Sequence, residues 1–469
     1  MTRFSVYSMA TALLAATALS GCGLEGTGQP PTITSPAAWS DPVTPQTGWP
    51  DATWWKSFNA PALDVLMGEA AEKNADIGAA KAQVREADAL LRISGAALLP
   101  TLEGSANASR QGSPKLPGIQ TAKQGNLYSP GLTASYEVDF WGKNTALEAS
   151  AQAGADAARY AHQTISLTVE SAVATTYFSA LGLQERLTVA RENLADAERI
   201  LTAYRERMAF GASTRLDVAQ QENEVAVQRA LIPPLEQDLR QSIDALAVLT
   251  GRMPETMPAD MGGFAQVTVP AVTPGLPSGL LARRPDVQLT EARLQAANAN
   301  IAAARAAFLP SLDLTAQGGY ESVALSSLLQ PGSALFMLAA GLTQPIFDGG
   351  RLEGSLDYSK ARYDELAESY RKTALSAFSD VEDALVAVRK TTEAEDAQRQ
   401  AEDTARQAYD IAQAQMQGGT VTLFVVLNTQ RALFQAKDAR VEATLKRLQA
   451  TVGLFKALGG GWPEAVSKR

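Results

Sequence analysis

The sequence has very few of the side chains on which most enzymatic and metal sites depend. It has one cysteine and one histidine among 469 residues, so an intramolecular disulfide and a zinc site built from His and Cys ligands are both excluded. A Ser-His-Asp triad would have to use His162, which lies in a long helical stretch with no nucleophile-elbow motif nearby. The sequence therefore predicts that the protein is not an enzyme and has no cofactor or metal.

Long apolar runs and excess positive charge are also missing. Beyond the first 22 residues, no stretch approaches the roughly 18 apolar residues of a membrane-spanning helix, so any membrane crossing would have to be made by strands. The net charge is −9, which argues against nucleic acid as a partner. Aromatic residues make up only 6% of the chain, a composition that favours long, thin helices over thick cores.

The N-terminus has the features of a bacterial lipoprotein leader. Arg3 is followed by an apolar stretch from Val6 to Leu19 and then by Ser20-Gly21-Cys22. We expect residues 1–21 to be a signal peptide and Cys22 to be the lipid attachment site, the alternative being an ordinary signal peptide with an incidental cysteine. Gly23, rather than an aspartate, follows the cysteine, which by resemblance to bacterial lipoproteins favours the outer membrane. Residues 22–60, rich in Pro, Gly, Thr and Ser at first, are predicted to be a lipid-anchored tether.

The rest of the chain is predicted to contain two structural repeats, residues 61–260 and 261–469. Four short matches recur in the same order at offsets of 207 to 210 residues, among them Leu98–Leu102 with Phe308–Leu312 and Gly211 with Gly418. Each repeat reads as helix, two strands, very long helix, turn and helix. The predicted helices cover residues 62–99, 143–208 and 214–250, with a kink or break at Pro233-Pro234, and then 286–309, 351–417 and 422–458.

Four segments alternate apolar and polar residues with a period of two. They lie at about 101–110, 131–140, 312–320 and 335–347. Such alternation over about ten residues is typical of a membrane β-strand, and also of a half-exposed sheet in a soluble protein. Their position in hairpins at the ends of helices about 100 Å long, in a lipid-anchored chain, favours the membrane. Because four strands cannot close a barrel, the chain must associate with further copies.

Several segments carry a resemblance to a known family. They are the Cys22 box, Ala134–Lys143, Gly279–Val287 with its Leu-Leu-x-Arg-Arg-Pro-Asp pattern, Phe308–Leu312, Gln344–Leu352 and Leu427–Leu433. In these the chain resembles the outer-membrane efflux proteins related to TolC, most closely the lipoprotein (NodT-like) branch that serves resistance-nodulation-division pumps. The resemblance implies a mainly α fold with a small β part: a homotrimer with a 12-stranded barrel in the outer membrane and a 12-helix periplasmic tunnel.

The same resemblance implies a function and partners. The expected role is the outer-membrane channel of a tripartite multidrug efflux system, a passive exit duct for small molecules. Its partners would be a periplasmic membrane-fusion adaptor, an inner-membrane pump and outer-membrane lipid. The alternatives are the outer-membrane conduit of a type I secretion system, or a lipid-anchored periplasmic coiled-coil scaffold without a pore.

Two groups of residues are expected to matter for such a duct. The helical turns that would form the periplasmic entrance and the adaptor contact contain Gly211, Thr214, Arg215, Asp217, Gly418, Gly419, Thr420 and Val421. The resemblance implies an acidic residue at the second turn, where this chain has Val421. The constriction is therefore expected either to use Arg215 and Asp217 or to be hydroxyl-lined and apolar. The acids on the polar strand faces, expected to line the lumen, are Glu103, Glu137, Asp139 and Asp313.

Overall fold

The computed structural model describes residue 28 and residues 31–40, 49–112, 124–258, 261–272 and 274–461. Its α-helices are α1 (Pro61–Lys73), α2 (Ala75–Ala96), α3 (Lys143–Ala209), α4 (Arg215–Leu249), α5 (Pro277–Arg283), α6 (Pro285–Ala306), α7 (Arg351–Gln417) and α8 (Leu423–Ala457). Within these described ranges, no helix combines the length and the apolar character needed to span a membrane. The chain divides into two compact units, one containing the strands and the other most of α3 and α7 with α4 and α8.

Four strands form a single antiparallel sheet in chain order. They are β1 (Thr101–Gly112), β2 (Gln124–Val138), β3 (Ser311–Tyr320) and β4 (Ala334–Thr343). Each strand pairs with its neighbours in the order β1-β2-β3-β4. Among the described residues, β1 and β4 each have one edge that no other strand pairs with.

The register of the sheet separates apolar from polar side chains. Residues opposite each other on antiparallel strands share a face, and one such row consists of Leu102, Ala134, Ala316 and Leu338. The next row on the same face consists of Tyr136, Leu314 and Ala340. This apolar face is open in the single chain, since Leu102 is 70% and Leu338 is 77% exposed. The period-two alternation in the sequence thus builds one continuous apolar face.

The main helical core forms around a short 3-10 turn, Trp54–Phe58, that precedes α1. Trp54 stacks on Phe455 of α8, with ring centroids 5.0 Å apart. The ring centroids of Phe58 and Phe178 of α3 lie 4.9 Å apart, and neither residue has any exposed surface. Large aromatic side chains supply much apolar area, so these contacts attach the segment before α1 to both α3 and α8.

The Leu-Leu-x-Arg-Arg-Pro-Asp segment forms a buried ionic junction between helices. Arg284 is only 9% exposed. Its guanidinium donates to both carboxylate oxygens of Asp286, at 3.0 and 2.6 Å, and to Asp380 of α7 at 2.8 Å. The guanidinium also donates to the carbonyl oxygens of Ala377 in α7, at 3.4 Å, and of Ala457 at the end of α8, at 3.3 Å. Pro285 begins α6, as expected for a residue that lacks an N–H group.

The helix expected over residues 62–99 is two helices that meet at Asn74. The Asn74 side-chain oxygen accepts hydrogen bonds from the backbone N–H groups of Asp76 and Ile77, at 2.9 and 3.1 Å. Its amide nitrogen donates to the carbonyl oxygen of Leu249. Asn74 therefore ends one helix and caps the next, which corrects the single-helix expectation.

Other boundaries also differ from the sequence-based expectation. β2 starts at Gln124 and ends at Val138, and β4 ends at Thr343, so Phe140 and Phe347 lie beyond the strands. Pro345 lacks the N–H group that would continue the β4 ladder. Pro233-Pro234 lies inside α4, which stays a single helix rather than splitting. Leu235, buried against Leu187 and Ala190 of α3, holds this part of α4 in place.

Helices at corresponding places in the two halves of the chain have equal lengths. α2 and α6 each have 22 residues, α3 and α7 each have 67, and α4 and α8 each have 35. The starts of the long helices, Lys143 and Arg351, lie 208 residues apart, as do Arg215 and Leu423.

Candidate functional site

Two turns join each long helix to the shorter helix that follows it. In the first, the N–H of Ala212 donates to the carbonyl of Arg207, and the N–H of Gly211 to that of Met208. In the second, Thr420 donates to Gln415 and Gly419 to Met416. This double pattern is the Schellman motif, which requires a left-handed residue. Gly211 and Gly419 provide it, with φ of +74° and +73°.

The structure shifts the expected equivalence of the two turns by one residue. The sequence match paired Gly211 with Gly418, whereas Gly419 is the residue with the left-handed conformation. Burial supports the shifted register: Leu216 and Phe424 are both exposed, at 66% and 69%, and each follows the first residue of its helix. Val421 therefore corresponds to Ser213, not to Thr214 as the offset of 207 predicts.

The helices that follow the two turns begin differently. The Thr214 hydroxyl accepts a hydrogen bond from the backbone N–H of Asp217, and the Asp217 carboxylate accepts one from the backbone N–H of Thr214, at 3.2 and 2.8 Å. This reciprocal pair is a capping box. Thr422, which precedes α8, makes no side-chain capping hydrogen bond. Asp217 is thus used at the start of α4.

An apolar cluster holds the two turns together. Leu201 and Tyr204 of α3, Val218 and Val225 of α4, and Leu423 and Leu427 of α8 pack in this cluster with Ala197. The Tyr204 hydroxyl lies 3.0 Å from the sulfur of Met416 in α7. Burial raises the pKa of Tyr204 to about 12, so its hydroxyl stays protonated well above neutral pH. Within the cluster Tyr204 serves as a packing residue.

Several side chains project from the turns. Phe210 is 87% exposed, Arg215 is exposed, and Val421 is half-buried. The Thr420 hydroxyl donates to the carbonyl oxygen of Gln415, at 2.9 Å. The turns therefore present apolar, hydroxyl and guanidinium groups, while the Asp217 carboxylate is already engaged in its own helix cap.

α8 makes a set of ionic contacts that was not predicted from the sequence. Glu402 of α7 accepts from Arg440 at 2.9 Å, and Glu395 accepts from Arg447 at 2.7 Å. α8 also contacts the other helices through Arg431–Glu224 on α4 and Asp438–Arg186 on α3. Glu224, Glu395 and Glu402 are all buried.

A heptad spacing would have revealed part of this set. Glu395 and Glu402 are seven residues apart, as are Arg440 and Arg447, and the antiparallel direction matches 395 with 447 and 402 with 440. Seven-residue spacing places side chains on the same side of a packed helix pair. The shared spacing is thus a sequence signal for the pairing of α7 with α8, although Asp396 and Asp403 have the same spacing.

The acidic residues assigned to the strands separate into two groups. Glu137 on β2 lies directly opposite Asp313 on β3, and Glu103 on β1 lies opposite Thr133 of β2. These positions belong to the polar face of the sheet. The ammonium group of Lys143 lies 2.5 Å from the Glu137 carboxylate, so one of the facing acids is partly neutralised.

Asp139 follows the last residue of β2 and caps α3. Its carboxylate accepts hydrogen bonds from the backbone N–H groups of Asn144 and Thr145, at 2.9 and 2.7 Å, and from the Thr145 hydroxyl. Partial burial acts to raise the pKa of Asp139, but these hydrogen bonds outweigh it and lower the pKa. Its position assigns Asp139 to the strand-to-helix junction. The predicted lipid attachment residue, Cys22, lies outside the described residues.

The sequence of this chain is similar to those of known proteins of one family. A sequence model of the outer membrane efflux protein family matches residues 66–252 and 276–460. The pyoverdine export outer membrane protein OpmQ of Pseudomonas putida is 39% identical over 442 residues, covering 92% of this chain and 94% of that protein. The toluene efflux pump outer membrane protein TtgF of Pseudomonas putida is 33% identical, with 96% of each chain covered.

Solved structures of outer membrane channels are also similar to this chain. The CmeC outer membrane channel of Campylobacter jejuni superposes with a TM-score of 0.87 at 26% identity, over 95% of this chain and 96% of that one. The open state of the MtrE outer membrane channel of Neisseria gonorrhoeae gives 0.85 at 30% identity, over 94% and 98%. Both likenesses span the sheet as well as the long helices.

Proposed function

The chain belongs to the outer membrane efflux protein family and is an outer-membrane efflux channel component, and from this premise we propose that it works as a homotrimeric passive duct without catalysis. The observation that carries the proposal is the four-stranded sheet, which has one continuous apolar face and, at β1 and β4, edges that no described strand pairs with. A sheet edge exposed to lipid leaves backbone groups without hydrogen bonds. Three copies joined β4 to β1 close a barrel of 12 strands.

The polar face of the sheet then lines the water-filled interior. Glu103, Glu137 and Asp313 lie on that face, and three-fold symmetry repeats each of them as a ring of carboxylates. Such rings favour cations over anions in a pore. Lys143 reduces the negative charge near Glu137, so Glu103 and Asp313 contribute most of the field.

The two helical turns serve as the entrance and as the contact for a periplasmic adaptor that connects the duct to an inner-membrane pump. Phe210, Leu216 and Phe424 leave large apolar surfaces exposed there, and exposed apolar patches are typical of protein contact sites. Acylation of Cys22 anchors the N-terminus in the outer membrane. The exported substrates are small molecules.

The arrangement of the strands can be tested with single cysteines in a Cys22→Ser background. Cysteines at residues 132 to 137 should react alternately with a charged, membrane-impermeant thiol reagent, with 133, 135 and 137 reactive. Paired cysteines on β1 and β4 should give disulfide-linked trimers. Equal labelling at all six positions, or cross-linking that stops at dimers, would contradict the closed 12-stranded barrel.

The entrance is tested by placing charge at the second turn. Val421→Asp brings three like charges together in the trimer and should increase single-channel conductance in planar bilayers. Val421→Thr, similar in shape and uncharged, is the control. Asp217→Asn removes a charge that is already engaged in the capping box, so its effect should be smaller. A larger increase with Asp217→Asn would mean that carboxylate contacts hold the entrance closed.

A further inference from the structure

Strand β4 is apolar on both of its faces. On the apolar face of the sheet it carries Phe336, Leu338, Ala340 and Leu342, as the period-two pattern requires. On the polar face, where the register aligns β4 with Gln317 and Asp313 of β3, it carries Leu335, Met337, Ala339 and Gly341. We call these last four residues the β4 track. The polar face of the sheet therefore contains one apolar strand.

The backbone beside Leu335 carries no side chain. Leu335 lies opposite Gly319 of β3, which in turn lies opposite Gly131 of β2. A Cβ at Gly319 would come within 2.5 Å of the carbonyl oxygen of Pro130 and 2.7 Å of the Cα of Gly131, so the close approach of β2 and β3 excludes a side chain there. The side chain of Leu335 therefore borders a shallow depression.

The two large side chains of the track are accessible. Leu335 is 42% and Met337 is 46% exposed in the single chain. In the proposed closed barrel the apolar face contacts lipid, whereas the track faces the water-filled interior with the rest of the polar face. Exposed apolar surface is typical of a contact site, and inside a duct the available contact is a molecule in transit.

The charges on the polar face all have the same sign. Among the described strand residues on this face, the acids are Glu103, Glu137 and Asp313, and none is lysine or arginine. Lys143, at the start of α3, offsets Glu137 alone. A pore lined by carboxylates favours cations, so the apolar track lies in a negative potential.

We propose that the β4 track is a binding site for organic cations with an apolar body that pass through the duct. The apolar body lies on Leu335 and Met337, over the bare backbone at Gly319. The positive charge is held by the potential of the carboxylates, without direct contact with any one of them. This site rests on the proposed duct and adds a substrate class to it.

The test is protection of a single cysteine in the full-length protein, purified in detergent as its native assembly. Gln317→Cys in a Cys22→Ser background places a thiol directly opposite Met337, where a charged, membrane-impermeant thiol reagent should label it. Tetrabutylammonium should slow this labelling about fivefold relative to tetramethylammonium at equal concentration, because the butyl arms bury methylene groups. Ser135→Cys, on the same face but two strands or about 10 Å from β4, is the control and should show no protection.

Variants of the track locate the binding. Leu335→Thr with Met337→Thr keeps residues that favour strands but removes the apolar surface, and should abolish the protection. Leu335→Val with Met337→Leu keeps the apolar surface and should retain it. Dibutyl phosphate, which has two butyl arms and a negative charge, should protect much less than tetrabutylammonium, and Glu103→Gln with Asp313→Asn should reduce that difference.

The possible failures separate this site from the duct itself. If the thiol at 317 resists the reagent while one at 316 reacts, the polar face does not line the interior, and the proposed duct and this site are both wrong. If the thiol at 317 reacts but the two ammonium ions slow it equally, the duct stands and the track binds no apolar body. Protection that persists in the double threonine variant would place the cation elsewhere, and equal protection by dibutyl phosphate would show that charge is not recognised. Each of these results overturns the proposed site.

Discussion

The helix pairs α3–α4 and α7–α8 both use ion pairs between their helices, but they place them in different surroundings. In α3–α4 the contacts are Arg205–Glu222, Arg229–Glu198 and Arg191–Glu236, and all six side chains are between 48% and 64% exposed. In α7–α8 the contacts are Arg440–Glu402 and Arg447–Glu395, and the carboxylates are 8% and 9% exposed. The distances, 2.6 to 2.9 Å, are similar in both pairs.

The difference shows that the number of ion pairs does not indicate how much they contribute to the free energy of unfolding. An exposed pair gains about 0–1 kcal/mol because water and salt screen it. A buried carboxylate has lost its water, so removal of its partner leaves an uncompensated charge. The α7–α8 pair depends on its arginines, whereas the α3–α4 pair relies on its buried apolar residues.

The largest expected effect is the loss of an arginine from α8. Arg447→Met should lower the free energy of unfolding by about 2 kcal/mol, because Glu395 keeps only Thr444 and the more distant Arg399 as partners. Arg229→Met in the α3–α4 pair should cost less than about 1 kcal/mol. The measurement is the thermal unfolding midpoint of each purified variant. Equal shifts would remove the distinction between the two pairs.

Acid should weaken the α7–α8 pair selectively. Burial acts to raise the pKa of Glu395 and Glu402, but their arginine partners, with Thr444 at Glu395, outweigh it and hold each pKa below the ordinary value of 4.5. The stabilisation is therefore complete above pH 4.5 and is lost as the pH falls through the lower folded-state values.

The comparison is between the wild type and a Glu395→Gln, Glu402→Gln double variant. The wild type should have the higher unfolding midpoint at pH 7, and the gap should narrow as the pH falls below 4.5. Glu198→Gln in the α3–α4 pair should differ little from the wild type at either pH. A gap for the double variant that does not change with pH would show that the carboxylates act through packing rather than charge.

The two turns should respond differently to alanine at their glycines. Gly211→Ala and Gly419→Ala should each cost about 1–2 kcal/mol, because alanine is strained at positive φ. Gly418→Ala should be neutral or slightly stabilising, since a Cβ there makes only ordinary contacts, the nearest at 3.6 Å. If Gly418→Ala lowered the free energy of unfolding and Gly419→Ala did not, Gly418 would be the equivalent of Gly211, as the sequence match predicts.

The smallest expected effect concerns the helix caps. Thr214→Ala removes a capping box and should cost about 1 kcal/mol. Thr422→Ala removes a side chain that makes no capping hydrogen bond, so its unfolding midpoint should match that of the wild type. A similar loss at both positions would show that the second turn is also capped when the protein is in solution.

The sequence predicted the long elements well because their signals are local. α3 was expected to end at Met208 and ends at Ala209, and α7 has the expected bounds, since Gly211, Gly349 and Gly418-Gly419 flank long proline-free stretches. The break at Asn74 was missed because an asparagine inside an apolar pattern also occurs in helices. Its capping role depends on the distant carbonyl of Leu249.

The candidate site was less predictable, because its residues interact across the fold. Asp139 and Asp217 were identified as acids, but their capping roles depend on backbone N–H groups that converge only at a formed helix terminus. The Glu395 and Glu402 pairing did leave a sequence signal, the shared heptad spacing.

The matched helix lengths restrict which changes in chain length the molecule can accept. The cluster beneath the turns joins Tyr204, near the end of a 67-residue helix, to Leu423, just after another helix of 67 residues. A single inserted residue in α3 would advance that end by about 1.5 Å and rotate it by about 100°. Insertions and deletions in one long helix should therefore survive only with a compensating change in the other, so the two halves of the chain are expected to keep the same length over evolutionary time.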